Sequence, residues 1–244
     1  MPTSGQEQPF TLDSISCRLH FFGALLPQAS TPLFVMPVSG DVSELMEGQH
    51  MRLDPAVRQG ALRPFVLATF VAPDWENGLS PWPAPALRRG RPDFAGNAGT
   101  TLDWVLRRLL PVAAQRVPQT AGGAHGLLGY SMAGLFALWA VHQTDAFSVC
   151  ASCSGSLWYE GFDAYLERTP LQSPCAIYLS LGEAEEKARS PVFARVGDAT
   201  RRIAALLARS PAATDTALVW HPGGHTGAVG ERLAAALMWM GRHS

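Results

Sequence analysis

Ala124-His-Gly-Leu-Leu-Gly-Tyr-Ser-Met-Ala-Gly134 runs from a short apolar stretch, through a serine with small residues two positions before and after it, into Leu135-Phe-Ala-Leu-Trp-Ala-Val-His142. The first part reads as a strand over 124–129. The second, over 132–142, is so uniformly apolar that a helix there must be buried on nearly every side. A strand that turns sharply into a buried helix, with little side-chain bulk at the turn, is the setting in which a serine hydroxyl is held out above a sheet edge. Gly129 stands two residues before Ser131, as G-x-S-x-G requires. The position two residues after it is Ala133, and the next glycine is Gly134.

Outward from this stretch, short β-rich runs alternate with helical segments, the pattern of a largely parallel sheet covered by helices on both faces. Strands are expected at 14–21, 33–37, 65–72, 147–152, 175–181 and 217–221. From Thr101, the spacing of Leu102, Val105, Leu106 and Leu109 predicts a helix that ends or bends near Pro111. Val192, Val196, Ala199, Ile203 and Leu206 line one side of another, and a last helix covers 230–241. Between 73 and 85 four prolines and two tryptophans forbid regular structure. One α/β domain over 14–244 results, with 1–13 as a disordered or extended tail.

Composition narrows the function classes. The chain has 244 residues, 47% apolar and 16% charged, which suits a sizeable core. Nineteen Lys and Arg against twenty Asp and Glu leave a net charge of −1, no field for a phosphate backbone or an anionic bilayer. Neither a nucleic-acid nor a membrane partner is expected. No signal-like run opens the sequence and no apolar stretch reaches the roughly 18–20 residues a span needs, so the expected location is the cytoplasm. Cys150-x-x-Cys153 has no second Cys/His pair to complete a metal site, and Cys17, Cys150, Cys153 and Cys175 read as buried thiols. No metal or cofactor is expected.

A serine hydroxyl needs a base, usually histidine, which in turn needs an acid to orient it. Among the seven histidines, His225 lies in Trp220-His-Pro-Gly-Gly-His-Thr-Gly227, directly after the last strand and before the last helix. His221 is the competitor in that loop, while His125 and His142 read as structural. The acid belongs after the strand at 175–181, where Leu181-Gly-Glu-Ala-Glu-Glu-Lys187 offers Glu183, Glu185 and Glu186. Glu185, three residues past the glycine, is favoured; Glu183, Glu186 or no acid at all are the alternatives. The backbone N–H of Met132 would be one donor to a tetrahedral oxyanion, and Gly40, after an early strand, the other. Trp75, Trp82 and Trp158 are candidates for an aromatic substrate wall. Arg63 and Arg88 could meet an acidic group.

Gly129-Tyr-Ser-Met-Ala-Gly-Leu-Phe-Ala-Leu-Trp139, Ala151-Ser-Cys-Ser-Gly-Ser-Leu-Trp158, Leu181 to Lys187 and His221-Pro-Gly-Gly-His225 stand in the order found in the putative-esterase family, which the chain resembles from about Phe65 onward. Ferric-enterobactin, feruloyl and S-formylglutathione esterases belong to that family, and the likeness is greatest to its siderophore-esterase branch. The resemblance implies an α/β-hydrolase fold and hydrolysis of a small-molecule carboxylic ester. By position it also implies Ser131 as nucleophile, His225 as base and a G-x-x-[DE] turn on Gly182 to Glu185. A silent hydrolase fold used for binding, and acyl transfer or thioester cleavage on the same site, are the alternative functions.

Overall fold

The computed structural model describes residues 4–87 and 90–244. Strands β1 (Glu7–Leu12) and β2 (Ile15–Phe22) form an antiparallel hairpin. β3 (Leu33–Val38), α1 (Ser43–Arg58) and β4 (Phe65–Val71) come next. Helix α2 (Ala98–Trp104) continues through a wider turn at Val105–Leu109 into α3 (Leu110–Arg116). Then β5 (His125–Tyr130), α4 (Met132–Ala140), β6 (Val149–Cys153), α5 (Phe162–Arg168) and β7 (Cys175–Gly182) alternate. α6 (Pro191–Ala194), α7 (Val196–Leu207), β8 (Ala213–His221) and α8 (Val229–Arg242) close the chain.

The eight strands form one sheet in the order β1-β2-β4-β3-β5-β6-β7-β8. From β4 to β8 every neighbouring pair is parallel. β3, β6 and β7 are buried at every residue, because a parallel sheet with helices on both faces has no wet side. On one face Met46 and Leu53 of α1 meet Leu233, Leu237 and Met240 of α8. On the other, α2 to α5 and α7 bury Leu102, Leu135, Phe136, Phe162 and Ile203. This is the doubly covered α/β sheet that the sequence pattern predicts.

The sequence reading needs correction at several elements. Residues 7–12, expected as a disordered or extended tail, are an edge strand paired along its length with β2. Phe10 packs against the core while Glu7 reaches back to Arg18 and His20. Of the end or bend expected near Pro111, the helix shows an irregularity and not an end: a proline lacks the N–H that would bond the carbonyl one turn earlier, and the π-type turn at Val105–Leu109 absorbs the mismatch, so the helix runs on to Arg116. α1 and α5 were not expected, and Leu207 rather than Leu206 is buried in α7. Among the described residues, no helix is long and apolar enough to cross a membrane.

The β5–α4 turn is closed so tightly that a Cβ on Gly129 would lie 2.0 Å from the Ala133 carbonyl oxygen. The requirement for a missing side chain falls on Gly129, and Ala133, itself fully buried, is accommodated. Gly129→Ala is therefore expected to lower stability by about 2 kcal/mol or more through forced backbone displacement. Gly40→Ala, where an added Cβ meets nothing within 4 Å, should stay within about 0.5 kcal/mol of the parent. Urea midpoints of the two variants check the contrast.

Candidate active site

Ser131 sits between β5 and α4 at φ 59°, ψ −120°. A non-glycine residue in that region is strained by roughly 1–3 kcal/mol, and it persists only where its surroundings over-determine it. Here they do. The Ser131 N–H donates to the Cys153 carbonyl at 3.0 Å, and its carbonyl accepts from Gly134, Leu135 and Ser156. Parallel pairing of β5 with β6 supplies the first contact, and the first turn of α4 supplies the next two. The side chain is thereby turned away from the sheet.

His225 Nε2 lies 3.0 Å from Ser131 Oγ, and its Nδ1 lies 2.7 Å from Glu185 Oε2. An ionised carboxylate only accepts, so Nδ1 carries the hydrogen and Nε2 presents a lone pair to the serine hydroxyl. Glu185 follows β7 on a 3-10 turn, and its side chain is 4% exposed. Burial pushes its carboxyl upward, but hydrogen bonds from His225, Ser154 and the Gly182 N–H outweigh it and hold the group below its ordinary value. Ser154 Oγ donates to Oε1 at 2.7 Å and the Gly182 N–H at 2.8 Å.

Of the acids left open, Glu185 is the one beside His225. Glu186 pairs with Arg201, and Glu183 is exposed, held through its backbone N–H on the His221 carbonyl. His221 lies 3.4 Å from the Tyr178 hydroxyl rather than at Ser131. His125 and His142 bond the Thr120 and Thr169 carbonyls.

A cavity of about 440 Å³ opens over Ser131 and His225. Trp75, Leu87, Phe94, Met132, Trp158, Phe193 and Val196 line it, an apolar wall around a polar floor. Trp82 is not part of that wall: it packs on Tyr159, Phe162 and Tyr165 and donates Nε1–H to the Glu160 carbonyl. Gly40, expected as the second oxyanion donor, borders a separate cavity with Val38, Asp41 and Thr69 rather than the one over Ser131. Met132 opens α4, so its N–H is one of the helix's unpaired first donors. A second cavity of about 480 Å³, beyond Trp158 and Phe94, contains neither Ser131 nor His225.

Arg63 bonds the Ser30 and Ser244 carbonyls, and Arg88 lies outside the described residues. The four cysteines are free and buried, and burial pushes the Cys153 and Cys175 thiols up to about 12. Sequence reasoning missed Tyr130, Ser154 and Arg232, all of which bond to members of this centre. Only Arg232 left a trace: it falls in phase with Leu233, Ala236, Leu237 and Met240 on the inward side of α8.

The fold is that of several solved structures. Siderophore hydrolase EstB from Aspergillus nidulans superposes with a TM-score of 0.78 at 14% identity, over 98% of this chain and 96% of that one. The BES protein from Bacillus cereus gives 0.72 at 13%, over 98% and 96%. The enterobactin esterase FES from Shigella flexneri gives 0.71 at 20%, over 98% of this chain and 59% of that one. At such identities the likeness establishes the α/β-hydrolase fold alone. No curated protein matches the chain. The model of the family described as "Putative esterase" matches residues 44–226, three quarters of the length, and the chain belongs to this family of ester hydrolases.

Proposed function

We propose that the protein is a serine carboxylic-ester hydrolase in which Ser131 is the nucleophile, His225 the general base and Glu185 the residue that orients it. The hydrogen-bonded series Ser131 Oγ, His225 Nε2 and Nδ1, Glu185 Oε2 at the floor of an apolar cavity carries this reading. Ser131 Oγ adds to the ester carbonyl as His225 Nε2 takes its proton. The Met132 N–H donates to the oxyanion. Collapse of the tetrahedral adduct expels the alcohol, which leaves with the proton from His225. Water, deprotonated by the same nitrogen, then adds to the acyl-serine, and its collapse returns the acid and the free hydroxyl.

The apolar wall favours a small ester whose acyl or alcohol part is aromatic or branched aliphatic, and Trp75 and Trp158 are its flat surfaces. Siderophore lactones join the substrate panel because EstB is named a siderophore hydrolase and FES an enterobactin esterase. Four unpaired buried thiols accord with a reducing compartment, and we place the protein in the cytoplasm.

A fluorophosphonate probe should label the folded protein at Ser131, with both label and ester turnover lost in Ser131→Ala. An unlabelled, folded parent would mean a binding protein instead. Glu185→Gln, which keeps the shape but withdraws the charge from His225, should cost about 100-fold to 10,000-fold in kcat on aryl acetates. Trp158→Ala should raise KM for naphthyl esters by about tenfold while leaving acetate esters within about threefold, as steady-state kinetics will show.

Because the folded Glu185 carboxyl titrates below its ordinary value, the stability of its ionised form is present above about pH 4.5 and is lost as pH falls through the lower folded value. Thermal melts of the parent and Glu185→Gln should accordingly converge as pH is taken from about 6 to about 3.

A further inference from the structure

Arg232, in the first turn of α8, has no solvent exposure. A buried guanidinium needs acceptors, and those that its two Nη groups find all belong to the parts that hold Ser131 and His225 in place, while its Nε has no partner among the described residues. Nη1 reaches Glu185 Oε1 at 2.9 Å, Ser154 Oγ at 2.7 Å and the Tyr130 hydroxyl at 3.0 Å. Nη2 donates to the Pro222 and Gly224 carbonyls at 3.2 and 2.8 Å. Each hydroxyl passes its own hydrogen on in a useful direction. Ser154 donates to Glu185 Oε1, and Tyr130 donates to the carbonyl of His225 itself.

This arrangement divides the carboxylate in two. Oε1 is saturated by Arg232, Ser154 and the Gly182 N–H, so Oε2 alone faces His225. The same guanidinium suspends the loop that bears the histidine from two carbonyls, and through Tyr130 from a third. The close fit also accounts for the glycine that ends β7: a Cβ on Gly182 would lie 2.5 Å from Arg232 Nη2 and 2.5 Å from the Gly223 oxygen.

We propose that Arg232 is the positioning residue of this centre, fixing the bearing of Glu185 and the height of His225 with one side chain, and setting the pH below which the pair takes up a proton and activity is lost. The proposal rests on the Ser131–His225–Glu185 reading above. With Arg232 in place, the neutral histidine, the carboxylate and the guanidinium sum to zero, and proton uptake on the half-exposed histidine leaves a net positive charge. Without it, uptake neutralises a lone carboxylate and occurs at higher pH.

Besides the carboxylate of Glu76, which lines the same cavity, the titratable groups that face the centre are Tyr130 on β5, Cys153 on β6, Tyr178 on β7 and His221 on β8. Burial drives the first three upward, and burial with the charge of Arg232 drives His221 downward, so all four stay neutral near pH 7.

The test compares Arg232→Met and Arg232→Lys, each with and without Glu185→Gln, by kcat/KM for an aryl acetate between about pH 5 and 9. Rates are normalised to the fraction of sites a fluorophosphonate labels, which removes losses due to misfolding. Arg232→Met is expected to lower kcat per labelled site about 100-fold, change KM less than about threefold, and move the acid limb up by about one pH unit. In the Glu185→Gln background the same change should shift the limb by less than about 0.3 units. Arg232→Lys, which keeps the charge but not the fork, should leave the limb in place and cost about tenfold in kcat.

Full kcat per labelled site and an unmoved limb in Arg232→Met would overturn the proposal. Should that variant not fold, a parent-like kcat in Arg232→Lys would do so. Either result, with the parent labelled and Ser131→Ala inactive, leaves the hydrolase reading standing. Activity that survives Ser131→Ala removes both.

Discussion

A serine held at φ 59° between a parallel strand and a helix buried along its whole length is the constraint around which the rest of the structure is arranged. The turn needs Gly129 behind it, the small Ala133 and Gly134 in the helical turn ahead of it, and β6 alongside to accept the Ser131 N–H. It also leaves the first N–H groups of α4 without helical partners at the point where the hydroxyl emerges. Strain, orphan donors and hydroxyl are thus three consequences of one bend. The energy stored there is small beside the burial of Leu135, Phe136, Leu138 and Trp139 that drives α4 into the core.

The second constraint is electrostatic. Placing Glu185 and Arg232 together inside the fold desolvates both, and a buried ion pair of this kind is rarely a net source of stability. An apolar pair of the same volume would serve the core at least as well. What the charged pair provides is direction: a carboxylate with one oxygen committed and one free, and a histidine with its tautomer decided by the free one. The geometry is determined before any substrate arrives, the condition under which such groups act on a developing charge without reorganising.

The parallel part of the sheet could be read from the sequence because its strands are short, continuous apolar runs that end in turn residues, and the β5–α4 stretch because its two halves differ so sharply in length and burial. Ser131, His225 and Glu185 were legible for a related reason: each stands just past the carboxyl end of a strand, where the chain leaves the sheet. β1 was not, since Glu7, Gln8 and Pro9 carry the composition of a tail and only alternation with β2 buries Phe10. α1 escaped because much of its surface is polar, and Met46, Gln49 and Leu53 give it a narrow inward stripe. Trp82 was plausible by type and general location, but a side chain's destination depends on packing, and Trp82 is taken up by Tyr159, Phe162 and Tyr165; Gly40 follows the expected strand, yet its loop opens on another cavity.

The order of the sheet explains why a centre assembled from residues so far apart in sequence is compact in space. β5, β6, β7 and β8 are successive neighbours, and their carboxyl ends deliver Tyr130 and Ser131, then Ser154, then Glu185, then the loop to His225. Each parallel crossover advances the chain by one strand, so the groups fall along one edge in the order in which they occur. α8 breaks the progression. It returns across the sheet to pack against β5, β6 and β7, and Arg232 in its first turn reaches back over all the preceding contributors. Until that helix docks, Glu185 has no cation and the histidine loop loses its guanidinium tether. Strand order alone collects the groups of this centre, and the closing helix gives them their bearings.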